Sequence, residues 1–217
     1  MRDLERFRAA VGTWVAGGAN APADAAVVDA LTCSGAAVVL VEGISDVQAV
    51  EALAARRDRD LAGEGICVLS IGGAMAAGRF LRLFGAPWFA ANVRGLCDEA
   101  EENYFRRGLE RAGFGADLTR SAMESLGFYV CVADLEDELV RALGPAAVER
   151  VLAAEEDLAR FRLFQNQPAQ RGRAIEQQLR RFMGTTSGRK ARYARALVRA
   201  LEPNCVPRPL DRLLASV

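Results

Sequence analysis

The stretch AAVVLVEGISD, residues 36–46, decides the fold. Ala36 to Val41 are all apolar, and three of them are the β-branched residue valine. A strand with one solvated face alternates apolar and polar positions; this one does not. It reads as a strand covered on both faces, as inside a parallel α/β sheet. The chain turns at Gly43 and enters a helix at once. Ser45 and Gln48 have the S-x-x-Q spacing of a capping box, and Val47, Val50, Leu53 and Ala54 keep helical period.

The same alternation recurs along the chain. ICVLSIGG (66–73) predicts a second strand, WFAANVRGLCD (88–98) a third and LGFYVCV (126–132) a fourth. Helices are predicted at AMAAGRFLRLFG (74–85), EAEENYFRRGLERAG (99–113) and DLEDELVRALG (134–144). Two short helices, 1–18 and 22–33, precede the first strand. After residue 144 only helical patterns appear, broken at Pro168, Gly184 and Pro203. The expected architecture is α/β: a mainly parallel four-stranded sheet flanked by helices. Its expected segments are 1–34 (helical), 35–144 (α/β core) and 145–217 (a basic helical region).

Composition removes several chemistries. The chain has 217 residues, 51% of them hydrophobic, enough for a full core, and no histidine. Its five cysteines (Cys33, Cys67, Cys97, Cys131, Cys205) form no C-x-x-C. A Cys/His zinc site and a histidine-based triad are therefore excluded. An odd number of scattered thiols reads as reduced and cytoplasmic. The uncharged run Gly65 to Gly78 falls short of the ~20 residues that span a bilayer. The charged N-terminal MRDLERFRAA does not read as a signal peptide.

The net charge of zero hides an asymmetry. Between Leu158 and Leu201 lie eleven basic residues and one acid, Glu176. Either these are solvated helix faces balanced by acids elsewhere, or they form a surface for phosphate backbones. Arg171, Arg173, Arg180, Arg181, Arg189 and Arg192 are the candidates for nucleic-acid contact, with Gln165, Asn166, Gln167, Gln170, Gln177 and Gln178 among them as further phosphate partners. Of the 28 basic residues one alone is lysine, Lys190 in TTSGRKARYA.

Acids gather where strands end. Glu42 closes the first strand and Asp46 follows one helical turn on. Asp98 closes the third, followed by Glu99, Glu101 and Glu102. Asp134 and Glu136 follow the fourth. Each taken alone could be a helix cap. In a parallel sheet, however, all these ends share one edge, where unpaired carboxylates raise one another's pKa and a divalent cation relieves the strain. Oxygen donors without His or Cys point to Mg²⁺ or Mn²⁺. Glu42, Asp46, Asp98, Glu101, Asp134 and Glu136 are the candidate ligands.

VVLVEGISDVQAVEAL (38–53) resembles the first motif of a Toprim domain, and more narrowly the Toprim half of the overcoming-lysogenization-defect (OLD) nucleases. The resemblance spans about 36–200. It implies a second acid four residues after Glu42 (Asp46), an acid after the fourth strand (Asp134 or Glu136) and a lysine from a C-terminal helix, which GRKARYARAL supplies as Lys190. Two departures stand out. The D-x-D expected after the third strand reads Asp98-Glu99-Ala100, leaving Glu99 or Glu101 to substitute. No G-x-x-x-x-G-K-[ST] occurs, so an ATPase would have to be a separate partner.

The resemblance implies a metal-dependent nuclease acting on nucleic acid, DNA ahead of RNA, with Glu42 and Lys190 as catalytic residues. The alternative is a Toprim-like binding module whose catalysis has decayed, motivated by the missing aspartate. A topoisomerase or primase reading is weaker, because Tyr104, Tyr129 and Tyr193 stand in no distinctive context. Homo-oligomerisation is compatible with either.

Overall fold

The computed structural model describes residues 37–84, 92–185 and 188–217, together with 6, 7, 9–11, 13, 14, 26, 27 and 30. The expected sheet is present: β1 (Ala37–Val41), β2 (Ile66–Ser70), β3 (Val93–Asp98) and β4 (Phe128–Cys131), all parallel, in the order β2-β1-β3-β4. Helices α1 (Ile44–Arg56), α2 (Ala77–Phe84), α3 (Glu102–Arg111), α4 (Arg120–Ser125) and α5 (Leu135–Leu143) connect and flank the strands. Then follow α6 (Pro145–Ala154), α7 (Leu158–Gln165), α8 (Ile175–Met183), α9 (Arg189–Ala200) and α10 (Arg208–Ala215).

β1 shows why its sequence is continuously apolar. Val39 and Val41 point into one core; Val38 and Leu40 point into a second on the opposite face. Side chains of a strand alternate between faces, so a strand with two covered faces needs apolar residues at every position. The first core also holds Val50 and Leu53 of α1, Leu139 of α5, and Leu179, Tyr193, Leu197 and Leu213 of the C-terminal helices. The C-terminal helices thus share one core with the sheet. The second holds Phe80 and Phe84 of α2, Phe105 and Leu109 of α3, and Phe7 and Trp14.

Arginines of the sheet half tie down the C-terminal half. Arg56 donates to the carbonyls of Val198 (2.6 Å) and Leu201 (2.7 Å), closing the end of α9. Arg59 donates to Leu214 O at 2.7 Å and Val217 O at 3.0 Å. These satisfy carbonyls that a helix end leaves without partners.

Several expectations shift in detail. The cap of α1 is not Ser45–Gln48: the Gly43 N–H donates to Asp46 Oδ2 at 2.8 Å, and Gln48 bonds Glu51 instead. The helices after β2 and β3 each open with a 3₁₀ turn, 74–76 and 99–101. Helix α4, capped by Thr119 Oγ accepting from the Ala122 N–H at 3.1 Å, has no counterpart in the sequence reading. The helices read at 1–18 and 22–33, and the start of the third strand at 88–91, lie largely or wholly outside the described residues; the described positions 6, 7, 9–11, 13, 14, 26, 27 and 30 are helical. Among the described residues no helix is long and apolar enough to cross a membrane.

Candidate metal centre

The strand order places the site. The chain runs from β1 outward to β2, then returns to the other side of β1 for β3. The carboxyl ends of β1 and β3 flank this reversal, where crevices open in parallel sheets. Glu42 leaves β1 and Asp98 ends β3 at that point. The loop after β2 braces Glu42 from behind: its carbonyl accepts from the Gly73 N–H (3.2 Å) and from Ser70 Oγ (3.3 Å). Gly72 and Gly73 have φ of 73° and 110°, values that favour glycine. On the other flank, Gly108 of α3 crosses α2 so closely that a Cβ there would sit 3.2 Å from Gly78 Cα. This contact seats the start of α3 against the edge.

Glu42, Asp98 and Glu101 converge: a carboxylate oxygen from each lies within 4.8 Å of the others, and all three are half-buried. Glu101, not Glu99, is the acid that joins Glu42 and Asp98. Glu99 is exposed and pairs with Arg120 at 3.0 Å. The three carboxylates lack positive charge. Burial, then Glu101, raises the pKa of Glu42, with Lys190 partly opposing. Burial, then Asp46 and Asp134, lifts Asp98 to about 8. Glu42 Oε2 is buried with no hydrogen-bond partner. An orphaned carboxylate oxygen facing two more carboxylates suits a divalent cation. The donors are all hard oxygens; the thiols of Cys97 and Cys131 are pushed up by burial and stay protonated. The cluster could therefore hold Mg²⁺ or Mn²⁺.

The remaining predicted ligands stand around this trio. Asp46 is buried; burial raises it to about 7, against the Gly43 N–H bond that lowers it. Glu136 is buried on α5, its Oε2 3.0 Å from Lys190 Nζ. Burial raises the Glu136 carboxyl and Lys190 opposes the rise. Asp134 is occupied twice: Oδ1 caps α5 by accepting from the Asp137 N–H at 2.8 Å, and Oδ2 accepts from Arg180 Nε at 2.6 Å. Asp134 thus serves as helix cap and ion-pair partner and stands apart from the trio. Lys190 lies in the first turn of α9, where the helix dipole disfavours a cation and the turn itself holds no acid. Burial pulls its pKa down, but Glu136, Asp46 and Asp98 outweigh that and leave it raised.

The basic region divides in two. A cleft of about 450 Å³ beside the acids is lined by Asp134, Glu136, Arg173, Arg180, Arg181 and Lys190, among others. Arg181 makes no ion pair among the described residues, whereas Arg171 and Arg173 bond the carbonyls of Asn166 and Ala169. Arg189 and Arg192 pair with the buried Asp157 instead. Gln178 and Gln170 are also internal: Gln178 accepts from Gln165 at 2.7 Å and donates to Gln170 O at 3.0 Å. The balancing acids lie mostly just upstream, as in the Arg162–Glu149 pair at 2.6 Å.

Asp157 was invisible as a functional position in the sequence. It is fully buried and receives Arg160 Nη1 (2.7 Å), the Tyr193 hydroxyl (2.7 Å) and Arg192, with Arg189 Nε at 3.5 Å. These partners outweigh the upward push of burial and hold its carboxyl at about 2. Arg189, Arg192 and Tyr193 bracket Lys190, so this knot fixes the turn that carries it. Only the acid-rich run Glu155-Glu156-Asp157 before a basic segment hinted at it.

Comparison with known proteins gives the same picture. Residues 35–98 match the overcoming lysogenization defect protein-like TOPRIM domain. The C-terminal region of the Xanthomonas campestris pv. campestris OLD protein is similar in fold: TM-score 0.62 at 24% identity, covering 82% of this chain and 92% of that one. The C-terminal region of the Burkholderia pseudomallei OLD protein gives TM-score 0.62 at 21% identity, covering 82% and 95%. No curated protein matches the chain. The segment 35–98, which carries β1, β2, β3 and the Glu42–Asp98 pair, is the part of the chain that matches the OLD-like Toprim domain.

Proposed function

We propose that this protein is a divalent-metal-dependent phosphodiesterase that cuts nucleic acid, DNA being the expected substrate. The observation that carries the reading is the buried, unpartnered Glu42 Oε2 facing Asp98 and Glu101 at the switch point of the sheet. Glu42, Asp98 and Glu101 would hold the ion, and Asp46 and Glu136 extend the acidic field around it. When bound, a divalent ion supplies Lewis-acid charge to the phosphoryl oxygens. Lys190 faces the cleft and neutralises charge developing on the transferred phosphoryl group. Water is the nucleophile: Tyr193 is buried against Asp157 and the buried thiols are protonated. Arg181 and Arg173 hold the backbone at the cleft without reading bases. No G-x-x-x-x-G-K-[ST] occurs in these 217 residues, so a P-loop ATPase coupled to the site would lie outside them.

The test is cleavage of plasmid and single-stranded DNA with Mg²⁺ or Mn²⁺, beside a Mn²⁺ titration followed by thermal melting. Wild type should cleave and gain stability from Mn²⁺. Glu42→Gln, nearly isosteric, should fold, lose the Mn²⁺ effect and lose cleavage. A wild type inactive with every divalent ion sinks the hydrolytic reading.

A further inference from the structure

Isolated apolar side chains on a protein surface are ordinary. Their distribution here is not. Among the described residues five large hydrophobic side chains are exposed: Ile44 (62%), Met75 (85%), Tyr104 (50%), Val132 (47%) and Leu163 (71%). Leu163 lies on α7. The other four each follow the carboxyl end of a different strand: Met75 after β2, Ile44 after β1, Tyr104 after β3 and Val132 after β4. By the strand order β2-β1-β3-β4 they succeed one another as a row, Met75, Ile44, Tyr104 and Val132, at the carboxyl end of the sheet, the end that carries the acids.

Each is tied to a member of the acid trio or its strand. Ile44 follows Glu42 by two residues, and Met75 follows Gly73, whose N–H bonds the Glu42 carbonyl. Tyr104 is one helical turn beyond Glu101, and Val132 follows Cys131, the register partner of Asp98. Ala133, next to Val132, has φ of 63°, a strained conformation for a residue with a Cβ. An apolar protein surface laid on this row would also cover Glu42, Asp98 and Glu101 and desolvate carboxylates without bringing a cation. A nucleic-acid strand would meet apolar residues with its bases while its phosphates reach Lys190 and Arg181 in the adjoining cleft. Methionine and isoleucine wedge between bases, and tyrosine stacks on them.

We propose that Met75, Ile44, Tyr104 and Val132 form an apolar collar that receives unstacked bases, so that the strand presented to the acid cluster is single-stranded at the phosphodiester held there. The collar rests on the reading of the site as one for nucleic acid. It assigns the substrate class: single strands, or duplexes opened at the point of attack.

The experiment measures binding of a fluorescent oligothymidylate and of a blunt duplex of equal length, in Ca²⁺. Wild type should prefer the single strand. Tyr104→Ala should weaken single-strand binding roughly ten-fold, with a smaller loss for duplex; Tyr104→Phe, which keeps the ring, should restore it. Met75→Ala should act in the same direction, and Leu163→Ala should change nothing. Unchanged single-strand affinity in both Tyr104→Ala and Met75→Ala overturns the collar, and cleavage persisting there leaves the nuclease reading standing. Collar-dependent strand binding by a protein that cleaves nothing supports the collar and sinks the hydrolytic reading.

Discussion

Lys190 Nζ lies 3.0 Å from Oε2 of Glu136, a carboxylate only 2% exposed at the end of the sheet that carries Glu42 and Asp98. The two form an ion pair at the wall of the basic cleft, with about half of the Lys190 side chain exposed. In the proposed mechanism the chain's single lysine supplies a compact charge there, which a planar guanidinium does not reproduce.

Lys190→Arg and Lys190→Ala should both cut single-turnover cleavage by ~10²–10³, the usual cost of losing one preorganised charge contact. Nucleic-acid affinity in Ca²⁺ should change little. Full activity in Lys190→Arg would remove any lysine-specific role and leave codon usage as the reason for 27 arginines elsewhere.

Glu101 and Glu99 should separate cleanly. Glu101→Gln should abolish the stabilisation by Mn²⁺, because it removes one of three converging carboxylates. Glu99→Gln breaks an exposed pair with Arg120 and should leave stability nearly unchanged, with Mn²⁺ binding retained. Isothermal titration of both variants with Mn²⁺ reads the difference; the reverse pattern would restore Glu99 as the ligand.

Arg181 lines the cleft with neither an ionic partner nor a side-chain hydrogen bond among the described residues, so Arg181→Ala should weaken binding similarly for unrelated sequences and lower the salt slope by about one. Arg162→Ala should leave both unchanged, because that guanidinium is already spent on Glu149. Equal effects from the two would mean that the whole segment, not the cleft, meets phosphate.

Asp157 should govern acid stability. Its folded pKa, about 2, lies below its unfolded value of ~4. A depressed carboxyl contributes stability that is complete above the unfolded pKa and is lost as pH falls through the folded one, so its share should disappear between about pH 4 and pH 2. Asp157→Asn should cost roughly 2 kcal/mol at neutral pH, since it removes the buried charge that Arg160, Arg189 and Arg192 share. It should also lower cleavage by displacing the turn of Lys190, with Mn²⁺ affinity unchanged. Urea denaturation of wild type and variant from pH 7 to pH 2 checks the first claim; parallel curves at all pH values would defeat it.

The sequence by itself determined the elements. A run such as AVVLV can be buried only on both faces, and the glycine and acid that follow it mark a strand end, because those properties are local in period and residue type. Glu42, Asp98 and Lys190 stood out for the same reason: one acid per strand end, one lysine in the chain. Tertiary structure alone decided the rest. Strand order set the switch point between β1 and β3, and no local pattern encodes which strands are neighbours. It chose Glu101 over Glu99 through the 3₁₀ turn that opens α3, a difference of side-chain direction that composition does not record. It drew Arg189 and Arg192 to the buried Asp157, because a carboxylate is buried only where its partners, 30 or more residues away in the chain, arrive with it.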